Sequence, residues 1–290
     1  MAKGLDIKRR IKSIKSTLKI TKAMELISSV KMRKASRNAL KSRDFVKSSW
    51  SSIAKIARQK QNEEFPLFTL GEKGKILMLV ITSDKGLAGS YNSGILKKLL
   101  NFIEQNEGEK IDYITVGQKG RKFIQKIGGN IIADFPTAGK VNFAQISPVV
   151  KIAWDGFYGR EYKKFLILYS EFYSIAKQES LIKQIIPLDP QEIIKEAPEN
   201  GVEKYPTVFF EPDRVEVLTQ IIRFTVRAQT YQAILEAEAS EHAARMIAMK
   251  NASDAAGDLV DDLQFTFNQL RQNSITSELS EISAGRAAIE

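Results

Sequence analysis

Proline is confined to the middle of this 290-residue chain, and its absence from both ends is the feature that most constrains the fold. The chain has eight prolines, which lie between Pro66 and Pro212, so residues 1–65 and 213–290 contain none. Because proline interrupts a helix interior, proline-free stretches of this length are compatible with long continuous helices. We therefore predict an N-terminal coiled-coil helix in residues 1–65, an α/β domain in residues 66–212 and a C-terminal coiled-coil helix in residues 213–290.

The C-terminal stretch repeats apolar or small residues at alternating three- and four-residue steps. An average step of 3.5 residues is typical of the seam of a left-handed coiled coil. The seam residues are Met246, Met249, Ser253, Ala256, Val260, Leu263, Phe267 and Leu270. Gly257 lies inside this helix, and close approach of a neighbouring helix would explain it. Asp213, with Glu216 three residues later, has the spacing of a helix N-cap.

The N-terminal arm carries a similar stripe that slips out of register. Ile7, Ile11, Ile14 and Leu18 follow steps of four and three, after which Ile20, Met24 and Ile27 take over. Such a slip predicts that the buried face rotates along the helix near Met24.

Charge separates the two ends. Residues 1–60 hold 18 Lys and Arg against 3 Asp and Glu, whereas residues 211–290 hold 7 against 13. Opposite charges predict that the ends attract each other and leave positive charge for a partner.

The middle alternates strand-like and helix-like segments, which predicts a mostly parallel sheet covered by helices. Strands are expected at 75–82, 111–116, 130–134, 165–170 and 181–186, and helices at 91–106, 118–127 and 143–158. Residues 188–212 are expected to form a loop with an edge strand at 207–210.

The chain has no cysteine, which excludes disulfides and thiolate chemistry. It also has no apolar run long enough for a membrane span.

Three local motifs leave other functions open. The segment from Asp84 to Gly89 follows a strand and could hold a phosphate as in a nucleotide enzyme, although its Gly-x-x-Gly spacing also fits a tight turn. His242 follows Glu238 and Glu241 on one helical face, but a metal or acid–base site needs more ligands. A basic cluster could bind nucleic acid, an acidic protein or the acidic C-terminal helix. That cluster consists of Lys31, Arg33, Lys34, Arg37, Lys41 and Arg43.

Four blocks, at residues 20–35, 82–92, 244–257 and 271–282, together resemble the F-type ATP synthase gamma subunit of bacteria. Residues 20–35 (ITKAMELISSVKMRKA) resemble the N-terminal signature of that family, and residues 244–257 and 271–282 resemble its C-terminal signatures. Residues 82–92 (TSDKGLAGSYN) are similar to the family's loop after the first central strand. The blocks occur in family order along the whole chain.

The resemblance implies an α/β fold class, with a long antiparallel coiled coil of the terminal helices and a Rossmann-like α/β domain. It implies a non-catalytic central-stalk rotor without a cofactor, which couples transmembrane ion flow to ATP synthesis or hydrolysis. The implied partners are the hexamer of alpha and beta catalytic subunits, the epsilon subunit and the c-subunit ring, with one copy per complex and no nucleic acid. The implied location is peripheral, on the cytoplasmic face of the bacterial plasma membrane.

Residues are carried over only where the motifs match. The resemblance implies that Met24 packs near the C-terminal helix and the beta-subunit lever, with Lys22 beside it. The basic residues Lys31, Arg33 and Lys34 are expected to face acidic loops of the catalytic hexamer. The positions implicated in coupling or hexamer contact at the C-terminal end are Arg245, Arg271, Gln272 and Thr276.

Overall fold

The computed structural model describes residues 2–58, 73–135, 143–188, 211 and 213–287. They pack as two compact units, one of Met1–Ser29 with Arg245–Glu290 and the other of Val30–Ala244. Two long helices, α1 (Ala2–Arg58) and α5 (Arg214–Ala287), contribute a segment to each unit. The predicted long terminal helices are thus confirmed. The domain boundaries after residues 65 and 212 stay a prediction, since residues 59–72 and 189–210 lie outside the described ranges.

The larger unit, Val30–Ala244, contains a five-stranded sheet of order β3-β2-β1-β4-β5. Neighbouring strands pair in parallel, except that β5 runs antiparallel to β4. The strands are β1 (Lys75–Ile81), β2 (Ile111–Val116), β3 (Asn130–Phe135), β4 (Tyr162–Phe172) and β5 (Gln178–Ile186). Each of the five strands predicted in the middle segment is therefore present, and the sheet is mostly parallel. The edge strand predicted at 207–210 falls outside the described residues.

Helices cover both faces of this sheet. They are α2 (Tyr91–Gln105), α3 (Gln118–Lys126) and α4 (Ser147–Tyr158), the last preceded by a 3₁₀ turn at Phe143–Ile146. Alternate residues of β1 face opposite cores: Leu79 packs with α4 and with α5, whereas Met78 packs with α2 and α3. Because both faces are buried, β1 is a continuous apolar run rather than an alternating one.

The start of α5 has the predicted cap. The Asp213 side chain accepts a hydrogen bond from the Glu216 N–H at 2.9 Å, which satisfies one of the amides that a helix start leaves without a partner. Within the larger unit, Ile222 and Val226 of α5 and Val46 of α1 then join the core on the α4 side of the sheet. The sheet and both long helices of this unit thus share one hydrophobic core.

Candidate functional site

The smaller unit is an antiparallel pair of helical segments, Met1–Ser29 from α1 and Arg245–Glu290 from α5. Three contacts set the direction. Thr21 meets Ser253, with 2.8 Å between the two hydroxyl oxygens, and the Lys15 ammonium donates to Gln264 at 3.4 Å. Nearer the N-terminus, a β-carbon placed on Gly4 would lie 4.0 Å from the Phe267 ring. As the residue number on α1 falls, the residue number of its partner on α5 rises, which is the pairing of an antiparallel coiled coil.

The predicted seam of α5 is the covered face of that segment. All eight seam residues are buried or half-buried, whereas most of their neighbours between residues 250 and 270 are exposed. From 271 to 284, every residue is exposed. The 3.5-residue repeat therefore predicts the contact face correctly, and within this unit the covered part of the seam ends at Leu270.

The register slip predicted for α1 is wrong. The inward positions of its smaller-unit segment are Gly4, Ile7, Ile11, Ile14, Leu18, Thr21, Met24 and Ser28, an unbroken series of three- and four-residue steps. Ile20 and Ile27 point outward and are 61% and 56% exposed. The seam admits small polar residues because Thr21 finds a hydroxyl partner in Ser253. An apolar-only search therefore loses the seam at Leu18, where the true pattern continues.

Outward apolar residues form a candidate contact surface on α1. Ile20, Leu26 and Ile27 are exposed on the helix next to the covered seam. Lys22 lies among them and pairs with Glu25 at 2.9 Å, while Met24 is half-buried. The hydrogen bond and charge of Glu25 raise the pKa of Lys22. We refer to Ile20, Lys22, Leu26 and Ile27 as the outer face of α1.

The C-terminal site residues lie on two different surfaces. Arg271, Gln272 and Thr276 are exposed on the last turns of α5, where an apolar stripe of Ile275, Leu279 and Ile282 is also exposed. Arg245 is only 8% exposed, so little of its guanidinium is available to another molecule.

The basic cluster of α1, in the larger unit, divides into exposed and internal members. Lys31, Arg33, Lys34, Arg37 and Lys41 are exposed. Arg33, Met32 and Ser36 line one side of a shallow cavity of about 550 Å³ whose other side is the β4–β5 turn around Ile175. Arg43, by contrast, points inward.

Half-buried Arg43 forms an ion pair with buried Glu236 of α5. Its Nη2 and Nε both donate to Glu236 Oε1, at 2.7 and 3.2 Å, and Nη2 also donates to the Phe172 carbonyl at 3.2 Å. Burial alone lowers the pKa of Arg43, but the hydrogen bonds and charge of Glu236 outweigh burial and raise it. Sequence reasoning missed Glu236, although a single acid between Leu235 and Ala237 is a signal for a buried, paired carboxylate.

The carboxyl edge of the sheet is where folds of this strand order bind ligands, in the crevice between the ends of β1 and β4. Here protein groups engage the end of β4. Ser240 of α5 donates to the Ser170 carbonyl at 3.0 Å, and Arg43 of α1 donates to Phe172. Two helices thus cover the strand end that would form one wall of such a crevice.

The loop after β1 also binds the chain itself. Amides at the start of α3 donate to Asp84 Oδ1 (from Gln118, 3.0 Å), to the Ser83 carbonyl (from Lys119, 3.1 Å) and to Thr82 Oγ1 (from Gly120, 2.8 Å). A β-carbon at Gly117 would collide with the Thr82 carbonyl, so the two backbones are in direct contact. The helix that this loop opens is α2. There the Ser83 N–H donates to Asn92 Oδ1 at 3.1 Å and the Tyr91 N–H donates to the Ala88 carbonyl at 3.1 Å, which favours the tight-turn interpretation over a nucleotide enzyme.

His242 does not form a ligand cluster in the described ranges. It is buried, and its Nε2 lies 3.8 Å from Glu238 on the preceding turn. No group of three or more His, Cys, Asp or Glu side chains that could hold a metal occurs among the described residues. None of the described helices is both long and apolar enough to span a bilayer.

These features define a class of protein: a doubly wound, mostly parallel sheet combined with an antiparallel pair of long terminal helices. A family model described as ATP synthase matches residues 4–289. An ATP synthase gamma chain of Pelotomaculum thermopropionicum is 35% identical over 98% of both chains, and that of Staphylococcus haemolyticus is 37% identical over the full length of both. The chain therefore belongs to the gamma-chain family of ATP synthase.

Solved structures support the fold. The chain is similar to one in a structure of the central stalk and c-ring of the Tetrahymena thermophila mitochondrial ATP synthase, with a TM-score of 0.61 and 24% identity over 81% of this chain and 99% of that one. It is also similar to a chain of the Euglena gracilis mitochondrial enzyme in rotational state 3, with a TM-score of 0.66 and 17% identity over 99% of this chain and 95% of that one. The expected coiled coil and Rossmann-like domain are thus a fold shared with central-stalk chains.

Proposed function

We propose that this chain is the central-stalk rotor of an F-type ATP synthase and that it is not itself catalytic. It transmits rotation between transmembrane ion flow and the ATP-synthesising or ATP-hydrolysing sites of other subunits. The observation that carries the proposal is the antiparallel seam of α1 and α5, together with gamma-chain relatives that match over the whole length.

A rotor needs torsional stiffness, and the seam supplies it. Residues from Gly4 to Ser28 on α1 face residues from Met249 to Leu270 on α5 along one continuous seam of three- and four-residue steps. Side chains at such positions interlock with the facing helix, so twisting one helix against the other disturbs many contacts at once. The seam therefore lets the two helical segments turn together.

A rotor must also affect its surroundings unequally around its axis. In the smaller unit both helices expose apolar residues, but their exposed charges differ: those of α1 are mostly cationic, as at Lys12, Lys19 and Lys22, whereas those of α5 are mostly acidic, as at Asp258 and Asp262. A shaft with two unlike sides contacts each surrounding site differently at each angle. Such differential contact is required for one component to shift the conformational equilibrium of another.

The proposed partners follow from this role. The coiled coil lies inside the hexamer of alpha and beta subunits, and the α/β domain contacts the epsilon subunit and the c-subunit ring. One copy is present per complex, on the cytoplasmic face of the bacterial plasma membrane, and membrane association is indirect, through the ring. No cofactor and no nucleic acid are required for this role.

The proposed contact residues are those that remain available at the surface. The outer face of α1 and the exposed cations Lys31, Arg33 and Lys34 are suited to apolar and acidic loops of the hexamer. Arg271, Gln272 and Thr276 are proposed to contact the hexamer near the end of α5. Met24 and Arg245 are more covered, so we propose that they act by positioning the helices.

The test compares ATP hydrolysis with ATP-driven ion pumping in inverted membrane vesicles that carry variant chains. Ile20→Ala combined with Ile27→Ala should leave assembly intact and lower pumping per ATP hydrolysed, because the lost contacts are made only to the hexamer. Leu100→Ala, at an exposed apolar position of α2, is the matched control. An unchanged ratio of pumping to hydrolysis in the double variant would exclude a coupling role for this face. Absence of the chain from purified, active complex would exclude the rotor function as a whole.

A further inference from the structure

The amino edge of the sheet, where the parallel strands begin, exposes a group of cations. Lys73, Lys110 and Arg160 are exposed and lie in the connections that lead into β1, β2 and β4. None of the three has an ion-pair partner among the described residues. We call these three residues the basic edge.

Backbone contacts hold the three connections together. The Ile76 N–H donates to the Lys110 carbonyl at 2.8 Å, and the Lys75 N–H donates to the Glu161 carbonyl at 2.8 Å. A β-carbon at Gly74 would lie 3.3 Å from the Arg160 carbonyl. The three cations therefore project from one fixed backbone framework.

Arg160 occupies a position where the backbone favours glycine. Its φ is +56°, and it follows the end of α4 in a turn that closes two hydrogen bonds. The Glu161 N–H donates to the Gly156 carbonyl, and the Arg160 N–H donates to the Phe157 carbonyl. This is the Schellman pattern, in which the left-handed residue is most often glycine. The neighbouring Gly159 has an ordinary φ of −72°, so the arginine adopts the strained conformation although a glycine lies one residue away.

Carboxylates at this edge are already engaged inside the domain. The Asp112 carboxylate accepts from Lys75 at 2.9 Å, from Asn130 at 2.8 Å and from Tyr162 at 3.1 Å. Glu109 pairs with Lys163 at 2.6 Å. Within the described ranges, these carboxylates are therefore paired with groups other than the three cations of the basic edge.

Mixed charge indicates the kind of partner. Glu161, whose side chain is 56% exposed, follows Arg160 directly in the chain, so a uniformly anionic membrane surface would meet both attraction and repulsion. A protein surface with separate carboxylates can match the pattern, and arginine binds a carboxylate through two parallel hydrogen bonds. Tyr158, 46% exposed two residues before Arg160, adds a side chain that is common in protein interfaces.

The long helices meet the ends of the strands at the edge of the sheet opposite the basic edge. In the larger unit, Arg43 of α1 and Ser240 of α5 contact the opposite, carboxyl edge of the sheet. The amino edge thus lies away from the point where these helices meet the ends of the strands.

We propose that the basic edge docks onto a carboxylate-bearing surface of another protein subunit, with Arg160 as its central contact. This inference rests on the proposed function, since the partner is a neighbour in the assembled complex. Arg160 is the residue for which the domain accepts a strained turn.

The experiment is zero-length carbodiimide cross-linking of the complex, purified through a tag on a beta subunit, followed by mass spectrometry. This reagent joins a lysine amine to a carboxylate only where the two are in contact. We expect Lys110 or Lys73 to be joined to an Asp or Glu of another subunit. Arg160→Glu should lower this yield by about tenfold, because a like charge then faces the partner. Lys97→Glu, at an exposed lysine of α2, should leave the yield unchanged.

A second variant separates docking from folding. Arg160→Gly should raise the melting temperature of the isolated chain by about 2–4 °C, since glycine relieves the left-handed conformation, and should still lower the cross-link yield in the complex. A purified complex that contains the chain but shows no cross-link from the basic edge would overturn the inference alone. So would binding of the complex to anionic phospholipid vesicles that depends on Arg160 while protein cross-links are absent. Absence of the chain from the complex would overturn both this inference and the proposed function.

Discussion

Arg43 and Glu236 lie 193 residues apart in the chain, yet the Arg43 Nη2 is 2.7 Å from Glu236 Oε1. The pair joins α1 to α5, and Arg43 also holds the end of β4 through the Phe172 carbonyl. Glu236 is 1% exposed, and Arg43 supplies the cation that faces its buried carboxylate. One arginine thus connects three elements of the larger unit.

Removing one partner of the Arg43–Glu236 ion pair should lower the stability of the folded chain. We expect Arg43→Met to lower the free energy of unfolding by about 3–5 kcal/mol, because it leaves Glu236 charged and buried without its cation. Chemical denaturation of the full chain measures the effect, with Lys41→Met at an exposed neighbouring position as the control. Adding Glu236→Leu to Arg43→Met should recover part of the loss, and a double variant less stable than the single one would contradict this account.

In the smaller unit, substitution by alanine should destabilise the chain only at covered positions of the seam. Met249→Ala is expected to destabilise by about 2–5 kcal/mol, because Met249 is 4% exposed and its removal leaves a cavity. Leu259→Ala, at an exposed position ten residues later on the same helix, should change stability by less than about 0.5 kcal/mol. Thermal unfolding followed by circular dichroism distinguishes the two, and equal effects would mean that the seam is assigned to the wrong face.

Gly257 offers a stabilising substitution. The sequence suggests that a neighbouring helix approaches it closely, but this is wrong: a β-carbon there would meet no atom within 4 Å. Gly257→Ala should therefore raise the free energy of unfolding by up to about 1 kcal/mol, because alanine is the better helix former and restricts the unfolded chain. Gly117→Ala is the opposing control, since its β-carbon would collide with the Thr82 backbone. A destabilised Gly257→Ala chain would indicate a contact at this position.

Acid should weaken the α/β domain through Asp112. Burial alone raises the pKa of Asp112, but hydrogen bonds from Asn130, Lys75 and Tyr162 outweigh it and lower the pKa below its ordinary value of 3.8. A carboxylate with a lowered folded-state pKa contributes stability above its unfolded pKa, and this contribution is lost as pH falls through the folded pKa. Below about pH 4, the stability advantage of the wild type over Asp112→Asn should therefore shrink. Urea titrations at several pH values test this, and a constant difference down to pH 2 would contradict it.

The exposed cations of α1 should matter in the complex rather than in the free chain. Replacing Lys31, Arg33 and Lys34 by glutamine should lower coupling or assembly while changing the stability of the isolated chain by less than about 0.5 kcal/mol. Lys97, Lys98 and Lys119, replaced together by glutamine, form a control of equal charge change. If the assembled complex works normally with the first triple variant, those three cations are only a solvated face.

Much of the fold follows from local pattern. The strands of the middle segment and the cap at Asp213 were predictable because burial on both faces and side-chain capping leave signatures within a few residues. The α5 seam was predictable for the same reason, since its period is written in consecutive residues. The α1 seam was not predictable from apolar residues alone, because Thr21 and Ser28 occupy covered positions and Thr21 has its hydroxyl partner, Ser253, on a distant helix.

The candidate site divides in the same way. Charge alone grouped Arg43 with Lys31, Arg33 and Lys34, but which of them turns inward depends on Glu236 on a distant helix. The family motifs indicate Arg245 and Arg271 together, yet one is covered and the other is exposed. The Asp84–Gly89 loop resembles a phosphate site, but the structure shows the neighbouring Ser83 N–H donating to the Asn92 side chain of α2.

By itself, the sequence determined the long terminal helices, the parallel sheet between them and membership of the gamma-chain family, because periodicity, proline placement and motifs are local properties of the chain. Only the tertiary structure decided which polar groups are used internally: Glu236 for Arg43, Ser253 for Thr21, and the loop after β1 for the amides of α3. It also decided that Ile20, Ile27 and Arg160 are exposed at the surface. The physical reason is that burial and hydrogen-bond partners are set by residues distant in sequence, and these determine whether a side chain stabilises the fold or remains available to another subunit.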